Sequence, residues 1–268
     1  MTHAQTARAQ LRALIESDQC VFPASVHDPI SARIAEELKF EMGMFAGSVA
    51  SLAVLGAPDA IVLTLSEFAE QARRITRASG LPIFCDADHG YGNAMNVMRT
   101  VEELECAGVA GLCIEDTALP KAYGAGAKTM LTSVDEGQAK VRAAVAARQD
   151  PALVIAGRTN ANAAADIDDV VTRLLAYEAA GADMLFVVGI KTSEDLERLT
   201  AATSLPLFLG GLPEAMMDRD ALARRRVRVA LQGHKPFAAA ALALYNTMSA
   251  LRSGVLPGDL EGIADKAM

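Results

Sequence analysis

The residues best suited to chemistry lie in one acidic run, Pro82-Ile83-Phe84-Cys85-Asp86-Ala87-Asp88-His89-Gly90-Tyr91-Gly92. The apolar piece Ile83 to Cys85 is short, follows a proline and ends abruptly in charge, the pattern of a buried strand. Two aspartates two residues apart on a strand end leave on the same face. Gly90 and Gly92 supply backbone freedom for a turn into a following helix. Carboxylates held side by side repel, and a divalent cation relieves that repulsion. An oxygen-only donor set favours Mg²⁺, with Mn²⁺ as the substitute, over zinc. A solvated acidic loop is the competing reading of the same residues.

The elements that must position this run alternate along the chain. Short apolar strands are expected at Val21–Ser25, Met42–Ala46, Ile83–Cys85, Gly111–Ile114, Leu153–Ala156, Met184–Val188, Pro206–Leu209 and Val227–Leu231. Helical spacing of apolar residues fills the intervals. Asp28-Pro29 reads as a helix start, with Asp28 as cap and Pro29 in the first turn, and Ile30, Ile34 and Leu38 as its buried stripe. Continuous apolar strands separated by helices imply a parallel sheet covered on both faces. Eight such units in 268 residues favour a (β/α)8 TIM barrel over an open sheet, as a single domain spanning residues 1–268. Two further helices are expected at Pro236–Arg252 and Asp259–Lys266. The first is apolar nearly all round and should be buried, with another subunit as one possible cover.

In such a barrel, chemistry gathers at the C-terminal ends of the strands. Those ends carry Ser48, Asp86, Asp88, Glu115, Asp116, Arg158, Lys191 and His234. Clustered acids with one arginine describe a site for a divalent metal and an anionic ligand, the arginine gripping a carboxylate in bidentate fashion. Each residue also has a plainer role. Arg158 could simply neutralise Asp86 or Glu115, Ser48 could cap a turn, and His234 could be a hydrogen-bonded polar residue. Lys191 could form a Schiff base, although a solvated loop lysine is the better account of it. His89 reads as a metal neighbour or, in preference, as a hydrogen bonder at a helix start.

Bulk composition excludes other classes. Basic residues number 25 against 33 acidic ones, a net charge of −8, and the longest basic run is Arg224-Arg225-Arg226, so nucleic acid is not an expected partner. Cys20, Cys85, Cys106 and Cys113 are scattered, as reduced thiols are. Met1 to Ser17 has no apolar core of the signal-peptide type, and no stretch approaches a membrane span. A soluble, cytoplasmic protein is expected.

The run Asp86-Ala87-Asp88-His89-Gly90-Tyr91-Gly92-Asn93, followed by Gly108-Val109-Ala110-Gly111 and Ile114-Glu115-Asp116, resembles the isocitrate lyase/phosphoenolpyruvate mutase superfamily. The likeness runs from Ala24-Ser25-Val26 to His234. It implies a Mg²⁺-dependent barrel acting on α-keto or α-hydroxy carboxylates through an enolate-like species. It also implies a homo-oligomer, dimer or tetramer, whose last barrel helix is swapped between subunits. Lyases of this superfamily carry a Lys-Lys-Cys-Gly-His type loop after the fourth strand. Here the stretch is Lys121-Ala122-Tyr123-Gly124-Ala125, which argues against isocitrate or methylisocitrate cleavage, and the Lys-Thr-Asn-Ser loop of the mutase and phosphonate hydrolases is absent too.

The oxaloacetate decarboxylase branch shares Gly47-Ser48-Val49-Ala50-Ser51, Asn96 to Thr100, Ala156-Gly157-Arg158-Thr159-Asn160 and Gly233-His234. By this resemblance Asp86 would be the direct Mg²⁺ ligand, and Asp59, Asp88 and Glu115 would hold its water shell. Ser48, Arg158 and His234 would contact the substrate, with Asp86, Arg158 and His234 as the catalytic set. The implied reaction is decarboxylation of oxaloacetate to pyruvate and CO₂. Alternatives are another superfamily lyase or hydrolase on a methylisocitrate-like or acylpyruvate-type substrate, and a non-catalytic barrel that binds a small acid. This chain departs from the branch in Gly210-Gly211-Leu212-Pro213 after the seventh strand, where a hydroxyl-bearing aromatic is usual, and in a short C-terminus.

Overall fold

The computed structural model describes residues 2–120 and 129–264, and the chain divides into two compact units, Met1–Gly233 and His234–Met268. The first unit opens with α1 (His3–Glu16), β1 (Ala24–Ser25), α2 (Pro29–Glu37), β2 (Gly43–Phe45) and α3 (Gly47–Ala50), which continues into a π-helical turn, Ser51–Leu55. Next come α4 (Leu65–Ala78), β3 (Ile83–Asp86), α5 (Ala94–Cys106), β4 (Gly111–Glu115), α6 (Val134–Ala147) and β5 (Val154–Asn160). The unit closes with α7 (Ile167–Ala179), β6 (Met184–Val188), α8 (Ser193–Ala202), β7 (Leu207–Gly210), α9 (Arg219–Arg224) and β8 (Val227–Ala230).

The eight strands form one sheet in sequence order, with every neighbouring pair parallel. Val21, just ahead of β1, bridges Val229 of β8. Its amide donates to the Arg228 carbonyl at 2.8 Å, and its own carbonyl accepts from Ala230 at 3.0 Å. The sheet therefore closes on itself, and the fold is the (β/α)8 barrel that the alternation implied. The barrel interior is aromatic. Phe84 of β3 and Phe208 of β7 lie with ring centroids 5.2 Å apart, although their strands stand on opposite sides of the sheet order. Phe186 of β6 stacks on Phe208 at 4.1 Å. Asp86 follows Phe84 by two residues and so emerges on the same interior side.

The helix starts follow local rules. The Asp28 carboxylate accepts from the Ser31 amide at 2.7 Å, and Pro29 occupies the first turn of α2. Its expected buried stripe is wrong, however. Ile30, Ile34 and Leu38 are exposed, whereas Ala32 and Ala35 are buried. Both faces of α2 are apolar, and the small alanines let it approach its neighbours closely, which periodicity cannot reveal.

The second unit holds α10 (Lys235–Arg252). Contrary to the expectation of burial, none of its residues is buried within this chain, and Leu242, Leu244, Tyr245 and Met248 are exposed. The helix expected at Asp259–Lys266 is also not formed over its described part. Only a 3-10 turn, Pro257–Asp259, is present, and Gly262 in the left-handed region (φ 68°) interrupts any continuation. Among the described residues, no helix is long and apolar enough to cross a membrane.

Candidate active site

Asp86 is the last residue of β3, and the backbone then turns sharply. Asp88 (φ 48°), Gly90 (φ 77°) and Tyr91 (φ 60°) all adopt left-handed conformations, which aspartate tolerates better than most residues. The two aspartates are therefore brought together by a turn and not, as the spacing suggested, by strand alternation. The Asp88 carboxylate lies against the start of α3: a Cβ added at Gly47 would stand 2.7 Å from Asp88 Oδ2. Only glycine leaves room for it there. Ser48, half-buried, occupies the same short helix.

The strand register brings in the remaining charges. Glu115 at the end of β4 pairs in register with Arg158 of β5. Arg158 Nη1 forms a close ion pair with Asp86, and Nη2 lies 3.1 Å from Glu115 Oε2. The guanidinium carbon stands 5.1 Å over the Phe186 ring, so the charged layer rests on the aromatic interior. Cys113 Sγ donates to Asp86 Oδ1 at 3.3 Å.

Electrostatics show a surplus of acid. Burial pushes the Asp88 carboxyl well above its usual range, and the charges of Asp86, Glu115 and Asp59 push it further while Arg158 opposes them. Burial likewise raises Glu115 to about 7, with Arg158 lowering it and Asp86 raising it again. Burial alone would weaken the Arg158 charge, yet Asp86 and Glu115 hold its pKa well above the ordinary value. The Arg158 guanidinium thus faces Asp86, Asp88 and Glu115, with Asp59 acting on Asp88, a set that a hard divalent cation would complete. Among the described residues, no three His, Cys, Asp or Glu side chains converge tightly enough to hold an ion directly. This donor set fits an ion held by one carboxylate and several waters, as Mg²⁺ commonly is.

Asp86, Glu115 and Arg158 are brought into contact, Asp88 acts on them through charge, Asp59 acts on Asp88, and Ser48 belongs to the short helix that Asp88 lies against. Asp116 does not join them. Asp116 is buried and turned toward the helices, where its Oδ2 accepts from Thr159 Oγ1 at 2.9 Å, Arg173 Nη1 at 3.0 Å and Tyr177 OH at 2.5 Å. Adjacent residues of a strand face opposite ways, so Glu115 and Asp116 could not both enter the mouth. Lys191 is exposed. His234 precedes α10 in the second unit. The expected helix start at His89 belongs instead to Asn93, whose side chain accepts from the Met95 and Asn96 amides. The His89 ring is buried, and that burial, then the Lys140 charge, lowers its pKa to about 4. The stretch Lys121-Ala122-Tyr123-Gly124-Ala125 lies outside the described residues.

This architecture has relatives. A family profile described as phosphoenolpyruvate phosphomutase matches residues 11–252. The chain belongs to this phosphoenolpyruvate phosphomutase family. The superfamily resemblance carried by the acidic run is thereby borne out. Within the family, the chain is 58% identical over 256 residues to an oxaloacetate decarboxylase of Bradyrhizobium sp. (strain ORS 278), covering 96% of this chain and 88% of the relative. Among solved structures it is similar to oxaloacetate acetylhydrolase in complex with the inhibitor 3,3-difluorooxalacetate, at a TM-score of 0.85 and 29% identity over 97% of this chain and 90% of that one. It is equally similar to phosphonopyruvate hydrolase in complex with oxalate and Mg²⁺, at a TM-score of 0.85 and 29% identity over 100% and 93% of the two chains. Solved structures similar to this chain thus hold 3,3-difluorooxalacetate in one case and oxalate with Mg²⁺ in another.

Proposed function

We propose that the protein is a Mg²⁺-dependent oxaloacetate decarboxylase that forms pyruvate and CO₂. The observation that carries this reading is the guanidinium of Arg158 set among carboxylates at the barrel mouth, in a chain 58% identical to an oxaloacetate decarboxylase. Breaking the C3–C4 bond of a β-keto acid needs an electron sink at the C2 carbonyl and a fixed orientation of the departing carboxylate. It requires no nucleophile. Asp86 would hold the ion directly, with Asp59, Asp88 and Glu115 holding its waters. Bound there, Mg²⁺ would supply Lewis acidity toward the C2 carbonyl. Arg158 would grip a substrate carboxylate through its planar fork, and the Gly47-Ser48 segment would orient the other end. After CO₂ departs, C3 takes a proton from water. His234 is assigned to carboxylate binding or to the ordering of that water.

The exposed Leu242, Leu244, Tyr245 and Met248 of α10 support a homo-oligomer that exchanges this helix between subunits, because a monomer would leave that apolar face in water. The absence of a spanning helix among the described residues and the scattered free cysteines support a cytoplasmic location. The test is incubation of purified protein with oxaloacetate and Mg²⁺. Pyruvate above the rate given by free metal is expected. Oxalate and acetate in its place would identify a hydrolase, and no turnover with ligand-dependent stabilisation would identify a binding protein.

A further inference from the structure

Lys140 of α6 is a charged side chain that the proposed reaction leaves unused, yet it is 4% exposed. Burying an ammonium is costly unless it is paired. Its closest carboxylate, Glu136 Oε1, is 4.0 Å away and itself exposed. Its hydrogen-bond partner is a backbone carbonyl, that of His89, at 3.2 Å. A methionine would fill this space without the desolvation cost, so the charge calls for another reason.

That reason lies in the turn after β3. Three consecutive carbonyls of the turn are each held by a different element. The Glu115 amide at the end of β4 donates to the Asp88 carbonyl at 2.8 Å. Lys140 Nζ of α6 holds the His89 carbonyl, and Thr100 Oγ1 of α5 donates to the Gly90 carbonyl at 3.0 Å. Within the turn, the Gly90 amide donates to the Ala87 carbonyl at 3.0 Å, and the Asp88 amide to Asp86 Oδ1 at 3.3 Å. The turn contains left-handed residues at Asp88, Gly90 and Tyr91, so it does not hold its shape by local preference alone. Among the three outside donors, Lys140 is the only side chain whose charge strengthens the bond.

We propose that Lys140 is a positioning residue for the metal site: its ammonium clamps the His89 carbonyl so that the turn presents Asp86 and Asp88 together to the ion. The inference rests on the metal reading given above. It has a diagnostic sign. Lys140 is a cation beside Glu115 and Asp116, and through space it repels a bound divalent ion. Removing the charge without disturbing the turn would tighten metal binding. Weaker binding therefore requires the clamp.

The experiment titrates Mn²⁺ into substrate-free protein and follows the free-ion signal by electron paramagnetic resonance, for wild type, Lys140→Met and Lys140→Arg. Circular dichroism checks that each variant is folded. Loss of a partner that orients a metal ligand typically costs 10–100-fold in affinity. The expected result is a loss of about tenfold or more in Lys140→Met, with Lys140→Arg restored to within roughly threefold of wild type. At saturating metal, kcat should fall far less than metal affinity. Unchanged or tighter Mn²⁺ binding in folded Lys140→Met overturns the proposal. Should that variant not fold, Thr100→Val, which releases the neighbouring carbonyl, and Lys140→Arg carry the test. Wild-type affinity in Thr100→Val together with loss in Lys140→Arg, which keeps the charge, would show side-chain packing, not the carbonyl clamp, at work and also overturn it. Failure of the wild type itself to bind Mn²⁺ would overturn the metal reading and the clamp with it.

Discussion

The carboxylate surplus at the barrel mouth makes stability depend on pH in an unusual direction. Most carboxylates favour the fold once ionised, but Glu115 is raised from 4.5 to about 7. The metal-free fold therefore prefers it protonated. Its contribution is intact below pH 4.5, declines as pH rises, and is lost above about 7. A difference of this size corresponds to about 3 kcal/mol, which for a domain of this length is a melting-temperature loss of roughly 6–12 °C. Asp88 shifts in the same direction and adds to it. The perturbation is Glu115→Gln, which keeps the shape and removes the charge. Thermal melts in EDTA at pH 5, 6, 7 and 8 should show wild type losing stability relative to Glu115→Gln as pH rises, with the gap largest at pH 8. Adding Mg²⁺ should recover wild type more than the variant, because the ion binds the ionised carboxylates and displaces their protons. Parallel melting curves for the two proteins across this pH range, or a Mg²⁺ effect that shrinks above pH 7, would refute the reasoning.

Other consequences can be measured directly. Chelation with EDTA should abolish oxaloacetate turnover, and Mg²⁺ or Mn²⁺ should restore it; Asp86→Ala should lack activity at any metal concentration. Gly47→Ala forces a Cβ against Asp88 Oδ2, so metal affinity should drop by about tenfold while urea unfolding changes by only about 1 kcal/mol. Arg158→Lys retains charge but not the planar fork, and kcat/KM should fall by roughly a hundredfold, from the loss of a bidentate contact. Tyr177→Phe removes one of three donors to Asp116; stability should fall by about 1–2 kcal/mol with pyruvate formation near wild type.

Much of this molecule could be read from its residues, for identifiable reasons. The strands were legible because a sheet covered on both faces demands continuous apolar runs such as Leu207-Phe208-Leu209. The acidic pair was legible because two aspartates at a strand end have few uses. What failed depended on direction. The exposure of Ile30, Ile34 and Leu38 could not be foreseen, since an apolar stripe does not say which of two apolar faces looks inward. Asp116 was placed in the mouth because neighbouring residues share an address in sequence but opposite sides of a strand in space. Lys140 was missed altogether: one lysine in Gly137-Gln138-Ala139-Lys140-Val141 looks like a solvated helix residue, and only tertiary packing reveals that it is buried against the His89 carbonyl.

The closure of the barrel has a dynamic consequence. Neighbouring strands β4 and β5 are zipped over five residue pairs, whereas the circle is completed by the single bridge between Val21 and Val229 and its two hydrogen bonds. A ring fastened by one stitch opens at that stitch first. Amide exchange at Val21 and Ala230 should thus run ahead of exchange in the middle of β4, with the wall behaving as a hinged ribbon on slow timescales. Since β3 to β5 carry Asp86, Glu115 and Arg158, the charged mouth sits far around the ring from that clasp. Breathing at the clasp can then proceed without loosening the wall that carries these charges.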